Sequence, residues 1–195
     1  LAALAEAAHA HVLPVYMDAA RFANALEARG CTPAQMTHEA GIDAFSLGGS
    51  KNGCLGVEAV VFFDPDKAWE FELRRKRAAH LFSKHRYLSA QMLAYLTDDL
   101  WRRSANTANA RAARLAEGLK SVPGVSFDVE PQANMIFAAF PRAAHRRLHD
   151  AGAAYYIWEG ALEGDDPAEM LTARLVCDWS ATDEDVDRFI GLVKG

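Results

Sequence analysis

The sequence predicts an α/β fold followed by a smaller α+β region. Three observations carry this expectation. To about residue 120, strand-like and helix-like segments alternate, which is the pattern of a parallel-type sheet. Within that stretch, Val57 to Phe63 is apolar and β-branched or aromatic apart from Glu58, as in a strand buried on both faces. After Ser121-Val122-Pro123-Gly124 the segments shorten, and short strands share the remaining length with helices. The expected organisation is therefore residues 1–120 as a sheet-containing region and residues 121–195 as a small α+β domain, with no internal repeat.

Each element has a local cause. Residues 1–11 are alanine-rich and read as a helix. Leu13 to Asp18 is mostly apolar and reads as a short buried strand ending in a carboxylate. Ala20 to Arg29 reads as a helix stopped by Gly30, which tolerates the left-handed backbone of a helix end. Ile42 to Leu47 reads as a second strand that runs into Gly48-Gly49-Ser50-Lys51-Asn52-Gly53, too rich in glycine for regular structure. Asp64-Pro65-Asp66 opens a helix with proline and acids at its N-terminus. A long helical region is expected from about Leu88 to Leu119. Beyond the break, strands are expected at Val125 to Val129, Met135 to Phe140, Ala154 to Trp158 and Thr172 to Cys177, with a helix at about Arg142 to Ala151. The last helix, Asp183 to Val193, follows Thr182, whose side chain with that of Asp185 has the spacing of a capping pair.

Composition narrows the function classes. Of 195 residues, 51% are hydrophobic and 24% charged, the balance of a chain that buries a core. The net charge is -5, and the longest basic cluster, Arg74-Arg75-Lys76-Arg77, sits beside Glu70 and Glu72. That is a solvated helix face or a partner contact, so no nucleic-acid partner is expected. No apolar run approaches the roughly 20 residues of a membrane span, and no signal peptide precedes the first helix, so no membrane association is expected. Cys31, Cys54 and Cys177 are scattered and odd in number, which suits free thiols in a reducing cytoplasm.

Two residues stand in positions suited to chemistry. Asp18 ends a strand, and in open α/β sheets ligands bind at the carboxyl ends of strands. Lys51 follows another strand among glycines, where a cofactor can approach closely. A lysine amine and an acid are the two partners that pyridoxal phosphate requires, one for a Schiff base and one for its ring nitrogen. Alone, each has an ordinary alternative: a helix cap for Asp18 and a solvated loop residue for Lys51. His145 and His149 lie four apart at a metal-ligand spacing, but without a third ligand a solvated helix face is the expectation and no metal is assigned. His80 and His85 have no second signal.

Longer segments supply a resemblance. Tyr16-Met17-Asp18-Ala19-Ala20-Arg21-Phe22-Ala23-Asn24-Ala25 and Phe45-Ser46-Leu47-Gly48-Gly49-Ser50-Lys51-Asn52-Gly53 resemble the corresponding segments of low-specificity threonine aldolases. So do Leu55 to Phe63, Arg75 to Lys84 and Thr172 to Val176, in the family's order over nearly the whole chain. The resemblance implies the C-terminal part of an aspartate-aminotransferase-type (type I pyridoxal-phosphate) fold with a small α+β C-terminal domain. It implies pyridoxal 5'-phosphate as cofactor, Lys51 as its covalent anchor, Asp18 as partner of the pyridine nitrogen, and Arg21 and Arg174 as ligands of the substrate carboxylate. For Arg21 the ordinary alternative is a surface residue, and for Arg174 a structural ion pair. Lys76 and Lys84 fall where family members carry basic residues that reach cofactor or substrate, in some from a neighbouring subunit; a charged helix face is the equal alternative. Ala19 departs from the family's usual glycine, at a cost of about 1 kcal/mol if a positive φ is required there.

The implied reaction is retro-aldol cleavage of a β-hydroxy-α-amino acid to glycine and an aldehyde, by a cytoplasmic homodimer or homotetramer. The family's phosphate-cradling loop, ring-stacking histidine and a further histidine proposed as base would lie upstream of Leu1, so residues 1–195 alone are expected to be inactive. Another amino-acid β-lyase on the same fold remains an alternative, as does a non-catalytic interaction domain.

Overall fold

A computed structural model describes all residues, 1–195. The chain forms two compact units, Leu1–Ser104 and Ala105–Gly195. No helix is long and apolar enough to cross a membrane.

The first unit opens with helix α1 (Ala2–His9) and strand β1 (Tyr16–Ala19). Helix α2 (Phe22–Arg29) ends at Gly30, in the left-handed conformation with φ 62°. A one-turn helix α3 (Pro33–Met36) begins at a Thr32–Gln35 capping box, and strand β2 (Ala44–Gly48) follows. β1 and β2 are parallel, with Asp18 opposite Ser46 and Ala19 opposite Leu47. Asp43 ties their starts together: its Oδ2 accepts the Val15 amide at 2.7 Å and lies 2.9 Å from His9 Nε2. The Val15 amide, then His9, hold the Asp43 carboxyl below its ordinary pKa.

Strand β3 (Glu58–Phe62) differs from expectation in two ways. It runs antiparallel to β2, so the sheet is mixed, in the order β1-β2-β3. The Gly49–Val57 connection is shorter than the roughly dozen residues that a parallel crossover needs. β3 is also an edge strand whose Glu58 and Val60 are exposed, so it is not buried on both faces. β1 is likewise the other edge, with Tyr16 exposed, rather than a buried strand, and Leu13, where the sequence predicts the strand to begin, lies ahead of it and is exposed. The unit's apolar centre lies around Phe22, Phe45 and Trp101, with ring centroids 5.1 and 6.2 Å apart.

Helix α4 (Pro65–Arg77) starts at Asp64, whose carboxylate accepts the Asp66 amide. The expected long helical region contains two helices, α5 (Arg86–Leu96) and α6 (Leu100–Lys120), separated by a 3-10 turn. Asp98 and Asp99 there have φ of 51° and 55°. Aspartate tolerates the left-handed region and is a poor helix interior residue, which an apolar-periodicity reading overlooks.

The second unit is a four-stranded antiparallel sheet with helices on one face. Strands β4 (Ser126–Phe127), β5 (Met135–Pro141), β6 (Tyr156–Glu159) and β7 (Met170–Val176) are ordered β4-β5-β7-β6. Helices α7 (Arg142–Asp150) and α8 (Asp183–Lys194) flank them, α8 starting at the expected Thr182–Asp185 capping box. β5 alternates strictly: Ile136, Ala138 and Phe140 are buried with Leu115, Leu119, Leu148 and Val186. The compact units divide inside α6, between Ser104 and Ala105. Ala112, Leu115, Ala116 and Leu119 recur at helical spacing and belong to the second unit's core.

His145 is completely buried, not on a solvated face. It stacks on Phe140 with centroids 3.9 Å apart. Its Nε2 lies 2.9 Å from the Leu171 carbonyl and its Nδ1 3.0 Å from Tyr155 Oη. A carbonyl only accepts, so Nε2 carries the proton and Nδ1 accepts from the phenol. Burial lowers the His145 pKa below its ordinary 6.5. The unfolded chain therefore binds the proton more readily, and His145's contribution is complete above that value and lost as pH falls towards the folded one. The thermal midpoint is expected to drop as pH is lowered below about 6.5, and His145→Gln to flatten that limb of the profile. A variant profile as steep as the parent's would remove His145 as the cause.

Candidate active site

The parallel pairing of β1 and β2 puts two of the residues singled out from sequence on one edge of the first sheet. Asp18 is near the carboxyl end of β1, and Lys51 lies just past the carboxyl end of β2. Both are exposed. Ser46, level with Asp18, donates its hydroxyl to Asp18 Oδ1 at 3.3 Å and accepts the Ala19 amide at 3.1 Å. That hydroxyl orients the carboxylate. Ala19 itself is buried in β1 with no positive φ, so alanine in place of the family's glycine is unstrained.

Lys51 sits on a 3-10 turn, Ser50–Asn52, closed by Gly53 with φ 116°. Its glycines have packing causes. A methyl on Gly48 would lie 2.5 Å from the Ala20 carbonyl oxygen, and one on Gly49 2.7 Å from that of Val57. The glycine-rich stretch is thus a place where backbone meets backbone, and it contains regular structure, contrary to the sequence expectation. The Asn52 and Cys54 amides both donate to the Gly49 carbonyl at 3.1 Å.

The turn is tied to α5 and the start of α6. Asn52, 4% exposed, donates from Nδ2 to Tyr95 Oη and to the Trp101 carbonyl, each at 2.7 Å. Tyr95, 3% exposed, donates to the Gly48 carbonyl at 3.3 Å. Burial raises the Tyr95 pKa, so its hydroxyl keeps the proton it donates. Further along, the Leu55 and Gly56 amides donate to Gln91 Oε1. Sequence reasoning missed Asn52, Tyr95 and Gln91, because nothing in their spacing marks partners so far apart in the chain.

Arg21 is the N-terminal capping residue of α2, partly buried and directly after the Asp18 strand. Lys76 is on the exposed last turn of α4, and Lys84 on the exposed segment before α5. Arg174 belongs to the second unit, in β7 between Phe137 of β5 and Tyr156 of β6. It is half-buried on the face away from the helices, where Tyr156 and Trp158 are exposed. No carboxylate of the chain pairs with it, so Arg174 is not part of a structural ion pair. Arg142, 2% exposed, is the contrast: its guanidinium is bonded to Glu169 and to the Ala161 and Asp166 carbonyls. It orders the loop before β7.

Two hollows in the surface are lined by neither Asp18 nor Lys51. One of about 800 Å³ lies among β3, α4 and α5, lined by Phe71, Arg75, His85 and Met92. Another of about 370 Å³ in the second unit is lined by Tyr155, Cys177 and Phe189. Burial raises the Cys177 thiol to a pKa of about 11, which makes it unreactive. Asp18 and Lys51 are on open surface.

Most of the chain is similar to known proteins. The profile of the family described as beta-eliminating lyase matches residues 1–141. A low specificity L-threonine aldolase of Pseudomonas aeruginosa is 40% identical over 176 residues, covering 90% of this chain and 47% of its own. That of a Pseudomonas sp. is 38% identical over 167 residues, covering 86% and 46%. The chain spans about half the length of these relatives. Among solved structures, Leishmania major threonine aldolase matches with a TM-score of 0.84 at 22% identity, over 98% of this chain and 54% of that one. This likeness shows the fold, which is the aspartate-aminotransferase type.

The packing at Gly48 is directly testable. Gly48→Ala would force backbone atoms of Ala20 apart, so it is expected to lower stability by about 1–3 kcal/mol. The readout is a lower urea midpoint with an unchanged slope.

Proposed function

The chain belongs to the beta-eliminating lyase family, and we propose that it forms part of a pyridoxal-phosphate-dependent aldolase. The substrate is a threonine-type β-hydroxy-α-amino acid, cleaved between Cα and Cβ to glycine and an aldehyde. What supports this reading most is the shared edge of β1 and β2, with a carboxylate and an amine at the carboxyl ends of adjacent parallel strands. The two relatives named low specificity L-threonine aldolase support the choice of substrate.

The residues present fit the cofactor. Lys51 offers an exposed amine on a turn anchored to the core, and Asp18 an exposed carboxylate oriented by Ser46. When bound, pyridoxal phosphate supplies an electron-accepting ring that stabilises negative charge at the substrate α-carbon. Lys51 would hold it covalently through Nζ. Asp18 would keep a proton on the ring nitrogen, because an adjacent carboxylate favours the cationic form. Arg174 would bind the substrate carboxylate: it is half-buried with no acid of its own, and its planar fork matches a carboxylate at two points. Arg21, beside Asp18, would share that task. Lys76 and Lys84 would add positive charge for cofactor or substrate anions.

The assembly would be a cytoplasmic homodimer or homotetramer. The exposed Trp69, Leu73, Phe82 and Leu93 around α4 and α5 support a covered apolar face. The free state of all three cysteines accords with a reducing compartment.

In the full-length protein, Lys51→Ala is expected to abolish threonine cleavage together with the visible absorbance of bound cofactor. Retained turnover would end the reading. Arg174→Lys keeps the charge but loses the fork, and is expected to raise KM for the amino acid by about tenfold with a smaller change in kcat. An unchanged KM would remove Arg174 from the carboxylate site.

A further inference from the structure

We propose that Tyr95 and Asn52 are positioning residues for Lys51, closing a hydrogen-bonded bracket around the turn that presents its amine. The proposal rests on Lys51 being the cofactor lysine.

The bracket holds the turn on both sides of Lys51. Before it, the Gly48 carbonyl accepts from Tyr95 Oη at 3.3 Å. After it, Asn52 Nδ2 donates to that same hydroxyl and to the Trp101 carbonyl, each at 2.7 Å. One phenol thus joins two points of the chain with Lys51 between them. Both side chains are buried, so their hydrogen bonds are not exchanged for water at low cost. The rest of the loop faces solvent: Ser50, Lys51 and Gly53 are exposed and Leu55 is 94% exposed. The Gly49–Val57, Gly49–Asn52 and Gly49–Cys54 backbone bonds shape the loop internally. The Tyr95–Asn52 pair fixes it to α5 and α6. A lysine amine that must meet one atom of a cofactor gains from such fixing, because small displacements of a reacting group carry large rate penalties.

The two groups are buried and are proposed to act through geometry, so the test must read geometry. In the full-length protein, Tyr95→Phe keeps the ring's packing and removes only the shared hydroxyl. Without cofactor, amide exchange of the Asn52 and Cys54 N–H groups is expected to speed up by about tenfold or more, the factor attached to losing a buried hydrogen bond. With cofactor loaded, the pH midpoint of its visible absorbance is expected to shift. The kcat should fall about tenfold while KM for the amino acid stays within about twofold, as for a loss of orientation rather than of binding. Asn52→Ala should reproduce the pattern; where it fails to fold, Tyr95→Phe alone decides. Exchange in Tyr95→Phe as slow as in the parent overturns the bracket. Faster exchange with an unmoved absorbance midpoint and kcat overturns the positioning role while leaving the cofactor reading intact. Turnover retained in Lys51→Ala overturns the cofactor reading itself, whatever the exchange shows.

Discussion

A buried amide cannot be left without partners, because its desolvation costs about 1–3 kcal/mol when no hydrogen bond replaces water. Asn52 meets this constraint by reaching a phenol and a carbonyl contributed from beyond residue 90, and the architecture of the first unit follows from it. Tyr95 must be buried beside the turn, so α5 lies against the end of β2. The Trp101 carbonyl must be at hand, so α6 begins there. Gly48 and Gly49 must lack side chains, so that the turn can approach Ala20 and Val57 closely. A loop that looks flexible in sequence is thereby one of the more constrained places in the unit.

The second unit handles buried polarity in the same way. His145 is satisfied by Tyr155 and the Leu171 carbonyl, and Arg142 by Glu169 and carbonyls of the preceding loop. Both lie on the helix-covered side or at its border, where the core sits. Arg174 belongs to the opposite face of the same sheet. Strand alternation puts Ala173 and Leu175 in the core and Arg174 outside it, among aromatic side chains. That guanidinium has no internal acid. Arg142 is instead bonded to Glu169 and to two carbonyls, although the two arginines are equally plain in the sequence.

Much of the fold was legible because its causes are local. Gly30 ends α2, Thr32 and Thr182 start helices by capping, and β5 alternates with period two. The errors have non-local causes. The apolar content of β3 predicts burial on both faces, yet burial depends on which strands flank it. Its antiparallel direction followed from a connection length rather than from its composition. Apolar periodicity marks a helical region from Leu88 to Leu119 but carries across Asp98 and Asp99, while the break between its two helices depends on two backbone dihedrals. The absence of a third metal ligand leaves a solvated face as the expectation for His145, whereas its stacking on Phe140 is a tertiary event.

By itself, the sequence determined the candidate chemistry of this protein: an amine in a glycine-rich turn, an acid at a strand end, and arginines suited to a carboxylate. It determined these through residue type and motif order, which survive without coordinates. The tertiary structure alone decided how that chemistry is held. It set Asp18 against Ser46 through strand register, left Arg174 without an internal ion pair, and closed Tyr95 and Asn52 around Lys51. The reason is physical: hydrogen bonds join groups that are close in space, and residues 52 and 95 become neighbours only when β2, α5 and α6 have packed.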